Sequence, residues 1–227
     1  MKEKGLMLVL LVLAVSGCGS IDWFPKYQRQ QTTPDQFTFT PKTQVALDPN
    51  SPSSSLLTAV SDPITVSGLT ADSSPISVNG STGSNSEYSV NGAAATASAG
   101  TVKNDDKVTV QNQLSNLPGV TATTTLIIGG VSAQFTSSTA NVMPFSQSAA
   151  GTAGASVNSG AITLTVAPGT YQVTVDNGSY SFDNQSYFAT EQTHAFNGGD
   201  VIYVRNIVPA TTTVTIDGVA STFTSHT

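Results

Sequence analysis

From Asp62 onward, apolar and polar residues alternate one by one in short segments: Ile64-Thr65-Val66, Ile76-Ser77-Val78, Val108-Thr109-Val110, Ile162-Thr163-Leu164-Thr165-Val166, Tyr171-Gln172-Val173-Thr174-Val175 and Val214-Thr215-Ile216. A period of two sends every second side chain to the same face, so each segment predicts a strand with one face buried and one wet. Between them stand Asn79-Gly80, Asn91-Gly92, Asn177-Gly178 and Asn197-Gly198, which supply the positive φ that tight hairpins require. No stretch after the first 17 residues keeps apolar residues at helical spacing for three turns. The Ala-rich piece from Gly92 to Gly100 is interrupted by glycine, serine and threonine and predicts strand or loop. The pattern is that of an all-β chain.

Two different patterns precede Asp62. The apolar run from Leu6 to Val15 follows Lys2 and Lys4 and closes on Val15-Ser16-Gly17-Cys18. Ten apolar residues are too few to cross a bilayer, and a basic start with small residues before a cut is the layout of a secretory signal. From Cys18 to Ser61 there is no sustained period, and Pro25, Pro34, Pro41, Pro49 and Pro52 are mixed with Gln28, Gln30, Gln31, Gln36 and Gln44. This composition predicts a disordered tether over 18–61. Trp23, Phe24, Phe37 and Phe39 punctuate it. They suit a lipid interface, a cap on the first domain at Phe39, or a docking segment over 23–39 that adds a strand to a partner's sheet.

Residues 15–18 resemble the lipobox of bacterial lipoproteins, with Val15 where leucine is commonest. The resemblance implies cleavage before Cys18, which makes 1–17 the signal peptide, and a diacylglycerol on the Cys18 sulfur with acylation of the new amino group. Each buried methylene contributes about 0.8 kcal/mol, so two or three chains hold a protein to a membrane where one would not. Gly19, in place of the aspartate that retains lipoproteins at the inner membrane, implies the outer membrane, with the periplasmic or cell-surface face left open.

An internal repeat organises the rest. Thr123 to Thr139 lies over Thr211 to Thr227 without a gap, with ten of seventeen pairs identical. Several identities are serine or threonine and follow from composition, but Ile128/Ile216, Gly130/Gly218, Val131/Val219 and Phe135/Phe223 do not. Upstream, Asp106 to Asn112 matches Asp200 to Asn206, and Glu87 to Asn91 matches Ser179 to Asp183, in the same order. The repeat predicts one domain over 62–139 and a second over 140–227, each the size of a seven-strand sandwich. Tyr88-Ser89-Val90-Asn91-Gly92, Gly100 to Val108 and Thr123 to Thr139 resemble an immunoglobulin-like or cadherin-like repeat of secreted bacterial proteins. That resemblance implies two tandem immunoglobulin-like β-sandwiches in an extracytoplasmic setting, and names no ligand.

Composition narrows the function. Charged residues are 10% of the chain, and the 210 residues from Cys18 onward carry a net charge of −7, which repels nucleic acid. Cys18 is the only cysteine, so no disulfide can form. The two histidines, His194 and His226, sit in no catalytic motif, and there is no G-x-S-x-G, H-E-x-x-H or phosphate loop. No catalytic residue or cofactor is expected beyond the covalent lipid. Asp105 and Asp106, with Asp62 or Asp72, are weak candidates for calcium, since hard cations want several oxygens, though acidic turn residues are usually turn formers. Tyr187 and Phe188 align with Ala94 and Ala95 and could form an aromatic glycan platform or simply pack at a strand edge. The leading expectation is a non-enzymatic outer-membrane lipoprotein acting as a structural or adhesive module. The alternatives are an accessory subunit of a pilus or secretion machine with an envelope protein partner, and a polysaccharide-binding protein.

Overall fold

The computed structural model describes residues 29–227, so Cys18, Trp23 and Phe24 lie outside the described residues. A compact unit runs from Thr32 to Thr227 and its regular structure is entirely strand. The first nine strands are β1 (Lys42–Val45), β2 (Leu56–Val60), β3 (Ile64–Thr65), β4 (Ser74–Gly80), β5 (Glu87–Val90), β6 (Gly100–Val102), β7 (Lys107–Ser115), β8 (Thr121–Ile128) and β9 (Val131–Thr139). The second nine are β10 (Ser146–Ala150), β11 (Ser156–Asn158), β12 (Ile162–Thr163), β13 (Gly169–Asp176), β14 (Ser179–Ser181), β15 (Gln192–Phe196), β16 (Val201–Ile207), β17 (Ala210–Ile216) and β18 (Val219–His226).

In the first set, five strands in the order β1-β9-β8-β4-β6 form one sheet, and β7, flanked by β2 and β3 on one side and β5 on the other, forms the second. The second set repeats this strand for strand: β10-β18-β17-β13-β15, and β16 flanked by β11 and β12 on one side and β14 on the other. The molecule is a tandem of two immunoglobulin-like β-sandwiches. Each has its own core, built around Phe135, Leu126, Ile128, Val108 and Val110 in the first and Phe223, Val214, Ile216, Ile202 and Val204 in the second. The alternation explains these cores directly: along β7 and β8 every second residue is buried.

From Thr32 on, the packing corrects the tether expected over 18–61. Thr32 onward belongs to the compact unit. Its carbonyl accepts from Ser74 Oγ at 2.6 Å, and Asp35 N donates to Ser67 O at 2.8 Å. Phe37 and Phe39, expected as partner-binding side chains, are core residues: their rings meet edge to face at 6.2 Å, and Phe39 meets Phe135 at 6.2 Å. Leu47 is buried, and Asp48 and Asn116 exchange bonds at 2.9 and 2.7 Å. The first sandwich therefore takes β1 and β2 from the segment expected as tether, and nine strands replace the seven expected. β1 pairs parallel to β9 and is almost wholly exposed, so it leaves no alternating signal.

Turn chemistry follows the Asn-Gly pairs in part. Asn91 and Gly92 both take positive φ, and Asn177 does too. Asn79 and Gly80 instead extend β4, opposite Thr125 and Thr124. At Asn197-Gly198 it is the next residue, Gly199, that turns left-handed.

Candidate functional site

The aromatic residues of the second sandwich form a wall rather than a free platform. Phe188 pairs through its backbone with Tyr180 at 2.9 and 2.7 Å, and its ring lies 5.9 Å from Tyr180 and 6.2 Å from Phe182. The same backbone pairing in the first sandwich joins Tyr88 to Thr96, so Phe188 corresponds to Thr96 and not to Ala95. His194 stacks on Phe182 at 3.8 Å and meets Phe196 edge to face at 4.7 Å. One face of its ring is thus taken by packing. The Tyr180 hydroxyl is raised above the usual phenol range by burial and donates to the carbonyls of Val173 and Thr190. Asp183 caps the following turn, accepting from the N–H groups of Gln185 and Ser186 at 2.8 Å each and from Ser181 Oγ, which holds its carboxyl far below the ordinary value.

Tyr187 faces the other way, toward the sheet centred on β16. Its hydroxyl donates to Asn184 Oδ1 at 2.7 Å, and the Arg205 guanidinium lies 3.6 Å over its ring. Arg205 Nε donates to Asn158 Oδ1 at 2.8 Å. Beside Arg205 is a cavity of about 230 Å³ lined by Ser156, Asn177, Ser179, Asn206 and Ile207. The alignment of the two copies points to Tyr187 and Phe188 and not to Arg205, although Arg205 is the sole Lys or Arg after Lys107.

The acidic candidates are turn formers. Asp106 accepts from Asn91 Nδ2 at 2.8 Å and from Lys103 N at 2.7 Å, and its counterpart Asp200 accepts from Asn197 N at 2.8 Å. Asp105 takes a φ of 69° and donates its N–H to Val66 O. Among the described residues no group of three or more His, Cys, Asp or Glu is placed to hold a metal ion.

A second cavity, about 330 Å³, lies where the two sandwiches meet, lined by Gln44, Leu47, Ala140, Pro144, Asp217 and Val219. Asp217 Oδ2 accepts from Asn141 Nδ2 at 2.8 Å and from Gln44 Nε2 at 3.3 Å, so the β17–β18 turn of the second sandwich is tied to the junction and to β1 of the first. In the first sandwich the matching position is Gly129, with φ 54°. A Cβ there would collide with the Thr32 carbonyl and Ser74 Oγ.

No family model matches the sequence, and no curated protein matches it. Solved structures of tandem immunoglobulin domains do. An E-to-A variant of titin domains I67-I69 is 10% identical over 87% of this chain and 64% of that one, with a TM-score of 0.26. The I-band fragment I67-I69 from titin is 10% identical over 87% of this chain and 62% of that one, with a TM-score of 0.24. The titin domains z1z2, in a complex with telethonin, are 13% identical over 87% and 97%, with a TM-score of 0.22. This chain spans less than two thirds of the length of either I67-I69 fragment. The immunoglobulin-like assignment stands on the sheet order itself.

Proposed function

We propose that this chain is a non-enzymatic outer-membrane lipoprotein whose twin sandwiches serve as a structural or adhesive module, held at the membrane through an acylated Cys18. The observation that supports this best is the placement of two copies of one nine-strand sandwich directly behind a lipobox-like tetrad. Thirteen residues separate Cys18 from Thr32, where the compact unit begins, and the fourteen Cα–Cα steps between them reach at most about 50 Å. The module would work close to the bilayer, with Trp23 and Phe24 suited to the lipid interface. The use of His194 as a packing ring between Phe182 and Phe196 favours a binding or structural role over catalysis. Docking to an envelope machine through 23–39 is weakened, because Phe37 and Phe39 are committed to the first core.

The test is metabolic labelling with radiolabelled palmitate in a bacterium that processes lipoproteins. The wild-type chain is expected to carry label and to begin at Cys18, and Cys18→Ser is expected to carry none and to leave the membrane fraction. An unlabelled wild-type chain, or a mature amino terminus elsewhere, overturns the anchor.

A further inference from the structure

Comparison of the two copies isolates one difference that packing does not account for. At the register pair joining β5 to β7, Glu87 faces Gln111, and Gln111 Nε2 donates to Glu87 Oε2 at 2.7 Å. The corresponding pair joining β14 to β16 is Ser179 opposite Arg205. The second copy carries a cation where the first has an amide, and a serine where the first has the carboxylate. The second sandwich holds five carboxylates, at Asp176, Asp183, Glu191, Asp200 and Asp217, and none forms an ion pair with Arg205.

Arg205 is nevertheless held in place. Its Nε is spent on Asn158 and its Cζ lies over the Tyr187 ring, which leaves the four N–H groups of the two terminal nitrogens without a partner among the described residues. A guanidinium fixed in this way has lost little freedom still to lose on binding, and its fork matches a carboxylate. The adjoining cavity supplies hydroxyls at Ser156 and Ser179 that make no hydrogen bond among the described residues, the Oδ1 of Asn177, whose Nδ2 donates to Thr211 O at 3.0 Å, and one exposed apolar side chain, Ile207. Both sides of β16 are already paired there, Ser156 region with Ile207 and Ser179 with Arg205, so an extended peptide cannot join that strand. A single cation in an acidic chain suits one carboxylate and repels a polyanion.

We propose that Arg205 anchors a binding site for an isolated acidic sugar, with the carboxylate on the guanidinium and the sugar hydroxyls on Ser156, Asn177 and Ser179. The site gives the adhesive reading a ligand class and rests on that reading for its biological sense. The anchor is tested by palmitate labelling, which no outcome here affects, so the two fail separately.

The test titrates the full chain in detergent micelles while following the Arg205 Nε–H resonance, with methyl glucuronide, its methyl ester, sodium acetate and triglycine as probes. Methyl glucuronide is expected to give a saturable shift, and the ester, acetate and triglycine to bind about tenfold or more weakly. Ser179→Glu, which supplies the carboxylate that the first copy has at Glu87, is expected to weaken methyl glucuronide about tenfold or more. The pair S179E/R205Q reproduces residue types that the first copy already folds with, so its loss of binding, followed on neighbouring backbone amides, is not a loss of fold. No saturable shift at about ten times a Kd of roughly 1 mM overturns the site. Equal binding of the ester overturns the carboxylate contact, equal binding of acetate overturns the sugar, and tighter binding of triglycine turns the site into one for a peptide terminus.

Discussion

Ser61 and Ser159 each put a hydroxyl where a strand would put a carbonyl. Ser61 N donates to Val110 O at 2.9 Å while Val110 N donates to Ser61 Oγ at 3.0 Å, and Ser159 does the same to Val204 at 2.8 and 3.0 Å. The side chain thus bridges the break between β2 and β3, and between β11 and β12, without leaving a buried N–H unpaired. Ser159→Ala removes the Oγ that accepts from the Val204 amide, which lies in the second core. The cost is expected at about 1–3 kcal/mol, seen as a lower denaturation midpoint at unchanged slope and as faster hydrogen exchange at Val204. Exchange at Val204 as slow as in the wild type would show that another group takes the proton. The sequence carries little sign of this device, because nothing in a lone serine distinguishes a ladder substitute from a turn former. The recurrence of Tyr88/Tyr180 and Phe135/Phe223 was legible in the repeat, and large rings recurring in register need a core to enter. The inward Asn112, Thr124 and Ser137, and their counterparts Asn206, Thr212 and Ser225, were aligned but not readable as buried, since polar residues carry no burial signal of their own.

At the scale of elements, the first strand of each copy is the one that the alternating pattern hides. β1 meets β9 with a register shift between Lys42 and Val45 and a left-handed Gln44, whereas β10 runs beside β18 in unbroken register from Ser146 to Ala150. Lys42 and the irregularity at Gln44 blunt the edge of the first copy. The edge of the second is regular and uncharged. Phe145 O accepts from Thr222 N and Gly151 N donates to His226 O, so the two-residue alternation turns Gln147 and Ala149 toward β18 and Ser146, Ser148 and Ala150 outward. Ala149→Pro removes a ladder donor and is expected to cost about 1–3 kcal/mol, while Ser148→Pro, at an N–H facing solvent, is expected to stay within about 1 kcal/mol. Equal losses in thermal or denaturant unfolding would show that ring sterics, not the ladder, decide. β2 was missed for a different reason. Leu56-Leu57-Thr58-Ala59-Val60 is a run of strand formers, but it sits among prolines and serines and leaves Leu56 and Val60 exposed, so composition outweighed pattern.

At the scale of the whole molecule, the two sandwiches are joined almost without a linker. Thr139 closes β9, Ala140 N donates to Val45 O at 2.9 Å in the first sandwich, and Val142 is already fully buried in the second core. Only Asn141 stands between, and its amide is held by Asp217, which also takes Gln44 from β1. The duplicated turn has therefore diverged by position: glycine where the incoming chain at Thr32 must pass close, and a carboxylate where the neighbouring copy can be reached. Without the carboxylate, Asn141 and Gln44 lose their shared acceptor, and Ala140, Asn141 and Val142 remain as the covalent joint. Asp217→Ala is thus expected to leave each core folded and to loosen the angle between copies. Residual dipolar couplings from the two sandwiches, which a fixed pair fits with one alignment tensor, should then require two tensors of different magnitude. A single tensor in the variant would mean that the backbone bonds at Ala140 and the burial of Val142 suffice to set the orientation, and that Asp217 is held by the junction rather than holding it.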